Sequence, residues 1–362
     1  MDKVDSVLEI APFASKKGEN AGIFLDAMAG AVTFHYQNCA DYKKVCDSRQ
    51  FNPLASGFRL EDIPYLPVSI FKKINLLSVP KSEIEKNIVS SATTGNVPSS
   101  ILLDKITASR QIKALNAIMS DFIGKERKVF IIFDSKQTVK AKAGQLSSRG
   151  SAIRGMMFMA KSMYFVLRED LTLDTDALKS ALSKIQPGDE VCFFGFTWLL
   201  HKVMFENKAA EMQLSLNTPP LVLHIGGWKK LRDLNVSKPE FNQLASAFFK
   251  TTAENVRDMY GMTEQLGTVY IDCEHGYKHV PFYSDIIIRD VNTLEPLGLN
   301  HDGFIQLLSP LPHSYPGISV LSDDIGAIIG EDDCVCGRQG KYFVFKARAE
   351  KAELKGCGDT LH

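Results

Sequence analysis

The chain has 362 residues, 45% of them hydrophobic and 23% charged, which is enough to bury a sizeable core as one large domain or two. Its 42 lysines and arginines balance 42 aspartates and glutamates, which argues against a general nucleic-acid binder. The longest apolar run, VCFFGFTWLL at 191–200, is too short to span a bilayer, and MDKVDSVLEI lacks the basic, apolar and cleavage regions of a signal peptide. The expected location is therefore cytoplasmic, with no membrane span, where the seven cysteines stay reduced and available for metal or acyl chemistry.

In chain order, residues 19–47 read as helix, with an apolar face through Ile23, Phe24, Ala27, Met28 and Val32. IPYLPVSIFKK at 63–73 carries two prolines and reads as an extended connector. KVFIIFD at 128–134 is a strand, GSAIRGMMFMAKSMYFVL at 150–167 is helical, and DEVCFFGF at 189–196 is a strand followed by the helix-like TWLLHKVMFENKAAEM. LVLHIGG at 221–227 is a strand ending in a glycine pair, and FNQLASAFFKTTAENVRDMY at 241–260 is helical. This alternation predicts a mostly parallel α/β sheet with helical cover. After about residue 265 the pattern changes to the short strands GTVYID, SDIIIRD, GFIQLLS and IGAIIG, as expected of a smaller, largely β subdomain.

Two segments suit nucleotide chemistry. In SSATTGNVPSS at 90–100, Ser91, Thr93 and Thr94 offer hydroxyls, Gly95 lets backbone amides approach an anion, and Pro98 stiffens the exit. It lacks the spacing of a P-loop, and its composition also fits a solvated linker. DMYGMTEQ at 258–265 places an aromatic ring, a hydroxyl and a carboxylate together; a helix end capped by Gly261 has the same composition. Elsewhere, Cys273 and His279 with Cys334 and Cys336 form two close pairs of N/S donors that suit tetrahedral zinc. His275 rivals His279, and a small hydrophobic Cys273 with a turn at Cys334 is the alternative. Cys357, in KGCGDTLH near the chain end, is a thiol flanked by glycines, with Lys351 and Lys355 close by in sequence. The methionine-rich 156–163, the run Phe193, Phe194, Phe196 and Trp198, and His201 suit either an apolar pocket or the core.

Taken in order and separation, these segments resemble the adenylate-forming superfamily. Within it, IPYLPVSIFK, GGWKK, YGMTEQ, CEHGYKH, SYPG, EDDCVCGRQGKYF and RAEKAELKGCGDT resemble the acyl-protein synthetases of bacterial bioluminescence operons, with phenylacetate–CoA ligases as more distant relatives. The resemblance implies the large domain of an adenylate-forming enzyme at 1–340, with the β subdomain at 265–340. It also implies a short segment at 341–362 bearing the acceptor cysteine, in place of a full C-terminal lid domain. It gives Ser91, Thr93, Thr94 and Gly95 to the phosphates, although Ser99 stands where a lysine is usual near the loop's end. Gly226 and Gly227 line the adenine, Tyr260 with Gly261 stacks on it, and Thr263 contacts the α-phosphate. Glu264 ligates magnesium, and Asp324, with Asp323 as rival, holds the ribose. Arg348 and Glu350 resemble the family's hinge pair. The implied reaction is ATP-dependent activation of a carboxylic acid, expected to be a fatty acid, followed by transfer to Cys357 and on to a partner acyl reductase. The cofactors are ATP, Mg2+ and a structural Zn2+. An acid–thiol ligase loading coenzyme A or a carrier protein, and a non-catalytic nucleotide-binding partner of a reductase, are the competing readings.

Overall fold

The structure is a computed structural model that describes residues 2–55, 57–90, 98–140, 145–207, 216, 218–226 and 236–349. Its centre is a sheet whose first strand, Lys128–Phe133, is buried at every position. Such a run needs cover on both faces, as parallel strands do. Ala160–Phe165 and Val191–Phe196 flank it in parallel, followed outward by Leu221–Ile225 and Val256–Tyr260, and antiparallel Tyr270–Ile271 closes the edge. The five parallel strands thus lie in the order second, first, third, fourth, fifth, a doubly wound arrangement whose ligand crevice lies outside the carboxyl ends of the strands. Phe130, Ile132, Cys192, Phe194 and Leu223 pack on one side with the helix Lys105–Ile123. Ile131, Phe133, Phe193 and Val222 pack on the other with the helices Thr175–Leu182, Thr197–Glu206 and Lys238–Phe249.

Two further sheets adjoin this one. The larger runs Lys278–His279, Lys341–Arg348, Ser319–Glu331, Gly303–Leu308, Asp285–Arg289, Pro296–Leu297, antiparallel throughout, and Leu66–Pro67 joins Ser319–Glu331 in parallel. The smaller is a hairpin of Ile84–Val89 and Ser100–Asp104, with Gln145–Ser147 parallel to the first of these strands. The hairpin is closed at residues 90 and 99, where the Ser90 amide donates to the Ser99 carbonyl at 2.9 Å and the Ser99 amide to the Ser90 hydroxyl at 2.8 Å. The predicted phosphate loop is therefore the connection of this hairpin.

Three sequence expectations change. The stretch 150–167 is helical only through Ser148–Gly155 and a tight turn at Met156–Met159; Ala160–Phe165 is a strand, because its partner Lys128–Phe133 offers a parallel edge. The stretch 241–260 ends its helix at Phe249, where Lys250 takes a left-handed conformation with φ of 54°, and Val256–Tyr260 is a strand. Tyr260 thus ends a sheet strand, and Gly261 caps no helix. The predicted helix at 19–47 is two, Lys17–Asn38 and Ala40–Ser48, separated by the extended backbone of Cys39. No helix among the described residues is long and apolar enough to cross a membrane.

Candidate active site

Tyr260 lies at the carboxyl end of the fifth parallel strand, and its hydroxyl donates to Asp324 Oδ2 at 2.9 Å. Asp324 sits within the 13-residue strand Ser319–Glu331 and faces Arg348 across the ladder, with Arg348 Nε 3.6 Å from Asp324 Oδ1. One carboxylate therefore joins the parallel sheet to the antiparallel one. Of the two rival aspartates, Asp324 makes both contacts, whereas the Asp323 carboxylate lies 4.0 Å from the Arg348 guanidinium. The Tyr260 ring lies among Tyr270, Phe343 and Phe345 at centroid distances of 5.7–6.0 Å. Burial and the Asp324 charge hold its hydroxyl protonated well above the usual tyrosine range.

The turn Thr263–Gln265 follows, with all three side chains buried. Gln265 Nε2 donates to the carbonyls of Leu307 (3.1 Å) and Gly317 (2.8 Å), fastening the turn to the antiparallel sheet. The Tyr315 hydroxyl donates to the Glu264 carbonyl at 2.8 Å. At Gly317 a Cβ would lie 2.3 Å from the Tyr315 ring and 2.7 Å from the Glu264 carbonyl oxygen, so only glycine fits. Burial pushes the Glu264 carboxyl above its usual range, and the Ser99 hydroxyl with the Lys72 and Arg348 charges pulls it back. Ser99 ends the phosphate-loop connection, so Glu264 is placed at the foot of that loop. A buried carboxylate is a donor that suits a hard divalent cation such as magnesium.

Gly226 ends the strand Leu221–Ile225 at φ of 100°, and a Cβ there would lie 2.3 Å from the Phe196 ring. Behind it, His224 is fully buried and bonded to Thr197 Oγ1 at 3.0 Å; burial lowers its pKa to about 4, so the ring is neutral. Sequence reasoning missed the charge network below. Lys278 Nζ sits 2.9 Å from Asp258 Oδ2 and 3.1 Å from Asp272 Oδ1, and Lys238 meets Asp272 Oδ2 at 2.7 Å. Burial opposes these charges, but their mutual attraction outweighs it and holds the Asp258 carboxyl below its usual range and the Lys278 ammonium above its own. The DMYGMTE segment carried Asp258 in view, but nothing local pointed to a lysine 20 residues on.

Cys273, His279, Cys334 and Cys336 place one ligand atom each within 4.8 Å of one another. Donors about 2.0–2.3 Å from a shared zinc ion fall within this separation. His279 is fully buried and belongs to this group, while His275 is exposed. Burial and the Arg338 charge lower the His279 pKa to about 4, keeping the imidazole in the neutral form that ligates metals. Its Nδ1 has no hydrogen-bond partner among the described residues, and Nε2 lies 3.2 Å from Cys336 Sγ.

The structure brings together Tyr260, Thr263, Glu264, Asp324 and Arg348. Ser91, Thr93, Thr94, Gly95, Gly227, Glu350, Lys351, Lys355 and Cys357 lie outside the described residues. Met156, Met159, Phe193 and Phe194 are core, and His201 is buried with its ring 6.2 Å from that of Phe205. The full sequence, residues 1–362, matches the family described as acyl-protein synthetase, LuxE. The chain belongs to this family. Among similar proteins, the long-chain-fatty-acid–luciferin-component ligase of Vibrio harveyi is 26% identical over 338 residues, covering 92% of this chain and 85% of that relative. The enzyme of the same description from Aliivibrio fischeri is 24% identical, covering 82% and 77%. Among solved structures, a 2-hydroxyisobutyryl-CoA ligase in the postadenylation state superposes with a TM-score of 0.69 at 15% identity, covering 91% of this chain and 67% of that one. At that identity the likeness establishes the fold, that of adenylate-forming ligases.

Proposed function

We propose that this acyl-protein synthetase activates a long-chain fatty acid with ATP and transfers the acyl group to Cys357, from which a partner acyl reductase receives it. The observation that carries this reading is the meeting of Tyr260, Glu264, Asp324 and Arg348 between two sheets, at the foot of the hairpin that bears the phosphate loop. ATP is held with its adenine against Gly226, Gly227, Tyr260 and Gly261, its ribose hydroxyls on Asp324, and its phosphates on Ser91, Thr93, Thr94 and Gly95. Thr263 orients the α-phosphate, and Arg348 fixes Asp324. Glu264 is the residue that would hold magnesium, which supplies charge neutralisation at the phosphates.

In the first step a carboxylate oxygen bonds to the α-phosphorus as the bond to pyrophosphate breaks, and pyrophosphate leaves with the electron pair. In the second, the Cys357 sulfur bonds to the acyl carbon, AMP departs, and the thiol proton is lost to solvent. Cys273, His279, Cys334 and Cys336 would hold a zinc ion with a structural role, since four protein donors leave no open position.

Intact mass after incubation with ATP, magnesium and a panel of fatty acids tests the reading. A hydroxylamine-labile acyl adduct is expected on the wild type and absent from Cys357→Ala, which keeps acid-dependent pyrophosphate exchange. An adduct that survives Cys357→Ala would place the acceptor elsewhere.

A further inference from the structure

We propose that Lys278 is a positioning residue for the nucleotide site, tying the strand that ends at Tyr260 to the antiparallel sheet. The proposal rests on the adenylation reading above, in which adenine lies against Tyr260, and deepens it. Beyond Val256–Tyr260 the parallel sheet continues only as Tyr270–Ile271, whose two residues pair with Tyr260 and Met259. A two-residue neighbour makes few ladder bonds, so the backbone that carries the Tyr260 ring gains little restraint from that side.

Lys278 adds the restraint. Its ammonium donates to the Asp258 carboxylate at 2.9 Å, to the Asp258 carbonyl at 3.2 Å and to Asp272 Oδ1 at 3.1 Å. The two aspartates are also joined directly. The Asp272 amide donates to the Asp258 carbonyl at 3.0 Å, and the Asp258 amide to Asp272 Oδ2 at 3.1 Å. Alternate residues of a strand share a face, so the Asp258 carboxylate lies on the same side as the Tyr260 ring, about 7 Å behind it along the strand. Lys278 pairs in turn with Phe343 of the antiparallel sheet, and the Phe343 ring stands edge-on to Tyr260 at 6.0 Å. Tyr260 is thus held twice between the sheets, at its hydroxyl by Asp324 and behind its ring by Lys278 with Phe343.

Stability alone does not account for charges at this place. Lys278, Asp258 and Asp272 are 2%, 6% and 1% exposed. Taking such groups out of water offsets much of their attraction, and apolar side chains of similar volume hold a fold as well. An ammonium hydrogen-bonded to three fixed oxygens does what apolar contact does not: it sets direction as well as distance. The position so set is that of the strand end which faces adenine.

Titration with AMP, together with acid-dependent exchange of labelled pyrophosphate into ATP, tests this on the full chain at equal folded fraction and zinc content. Lys278→Met is expected to raise the Kd for AMP and the KM for ATP by about tenfold or more, with the KM for the fatty acid within about twofold of wild type. Arg110→Met breaks another buried cation, paired with Asp2 and Asp5 near the amino terminus. It should lower the melting temperature and leave the Kd for AMP unchanged. Lys278→Met combined with Asp258→Asn removes one charge of each sign, and Asp272 keeps its pair with Lys238. This double variant should regain melting temperature yet bind AMP as weakly as Lys278→Met. AMP affinity that returns along with stability would mean a structural role alone and overturns the proposal, as does a Lys278→Met protein that binds AMP like wild type. Should Lys278→Met fail to fold, the double variant decides by the same criterion. A wild-type chain that neither binds AMP nor exchanges pyrophosphate would instead remove the adenylation reading, an outcome distinct from a Lys278 variant that binds normally.

Discussion

Glu264 lies in a place that resists ionisation. It is 5% exposed, and its carboxyl is pushed above the usual range by burial. The raised pKa means that this residue favours the fold in its protonated form; that contribution is present below the ordinary carboxylate range and is lost as pH rises through the raised value. Glu264→Gln, neutral at every pH, should therefore melt at a higher temperature than wild type at neutral pH, the difference shrinking as pH falls below the ordinary carboxylate range. On the proposed role of Glu264 in holding magnesium, the same substitution should lower acid-dependent pyrophosphate exchange by about 10²-fold or more. Thermal melts across pH together with exchange assays read both effects. A Gln variant that is less stable and fully active would refute the assignment. Single residues of this site were legible because their chemistry is local: Tyr260, Thr263 and Glu264 fall within five consecutive positions. Tyr315, which holds the Glu264 carbonyl, was not, because only the folded chain brings residue 315 to residue 264.

At the level of elements, the strands with continuous apolar runs could be read directly, as at Lys128–Phe133 and Val191–Phe196, because burial on both faces leaves no helical period. Two of the three errors fell where a helix passes into a strand with no proline to mark the junction. At 241–260 the signal was the backbone of Lys250, and a left-handed lysine leaves no trace in composition. At 150–167 the apolar content continues from helix through tight turn into strand, and the parallel partner decides the outcome. The metal-ligand group is also an element-level device. Cys273 and His279 flank the turn entering the strand Lys278–His279, while Cys334 and Cys336 lie between Ser319–Glu331 and Lys341–Arg348. An ion there would clip a two-residue strand to the sheet edge, where Lys278 and His279 pair with Phe343 and Tyr342. Purified protein should carry one equivalent of zinc, and Cys334→Ser should lower that content. Removing the metal with a chelator should lower the melting temperature by a few degrees, as a loss of about 2 kcal/mol does in a large domain. Metal-free protein with unchanged melting would refute a structural role.

Across the whole molecule, the site is built from parts that no single sheet contains. Gly226 and Tyr260 end parallel strands, Asp324 and Arg348 belong to the antiparallel sheet, and the predicted phosphate loop connects the hairpin strands of the three-stranded one. Tyr260–Asp324 is a direct bond between the first two, and Glu264 beside Ser99 links the second junction to the third. A ligand spanning adenine, phosphate and acyl positions would touch all three at once. A ligand that binds only the folded chain stabilises it by RT ln(1 + [L]/Kd), about 2.7 kcal/mol at 100 times Kd. A non-hydrolysable acyl-adenylate analogue should therefore raise the melting temperature by more than AMP and the free fatty acid do together, because joining the two halves removes the entropy cost of binding them separately. Asp324→Asn weakens the charge-assisted bond from Tyr260 and should reduce the analogue's shift while leaving that of the free acid unchanged. Equal shifts for the analogue and for the sum of its halves would mean that nucleotide and acid bind at separate places, and the three sheets would then not form one site.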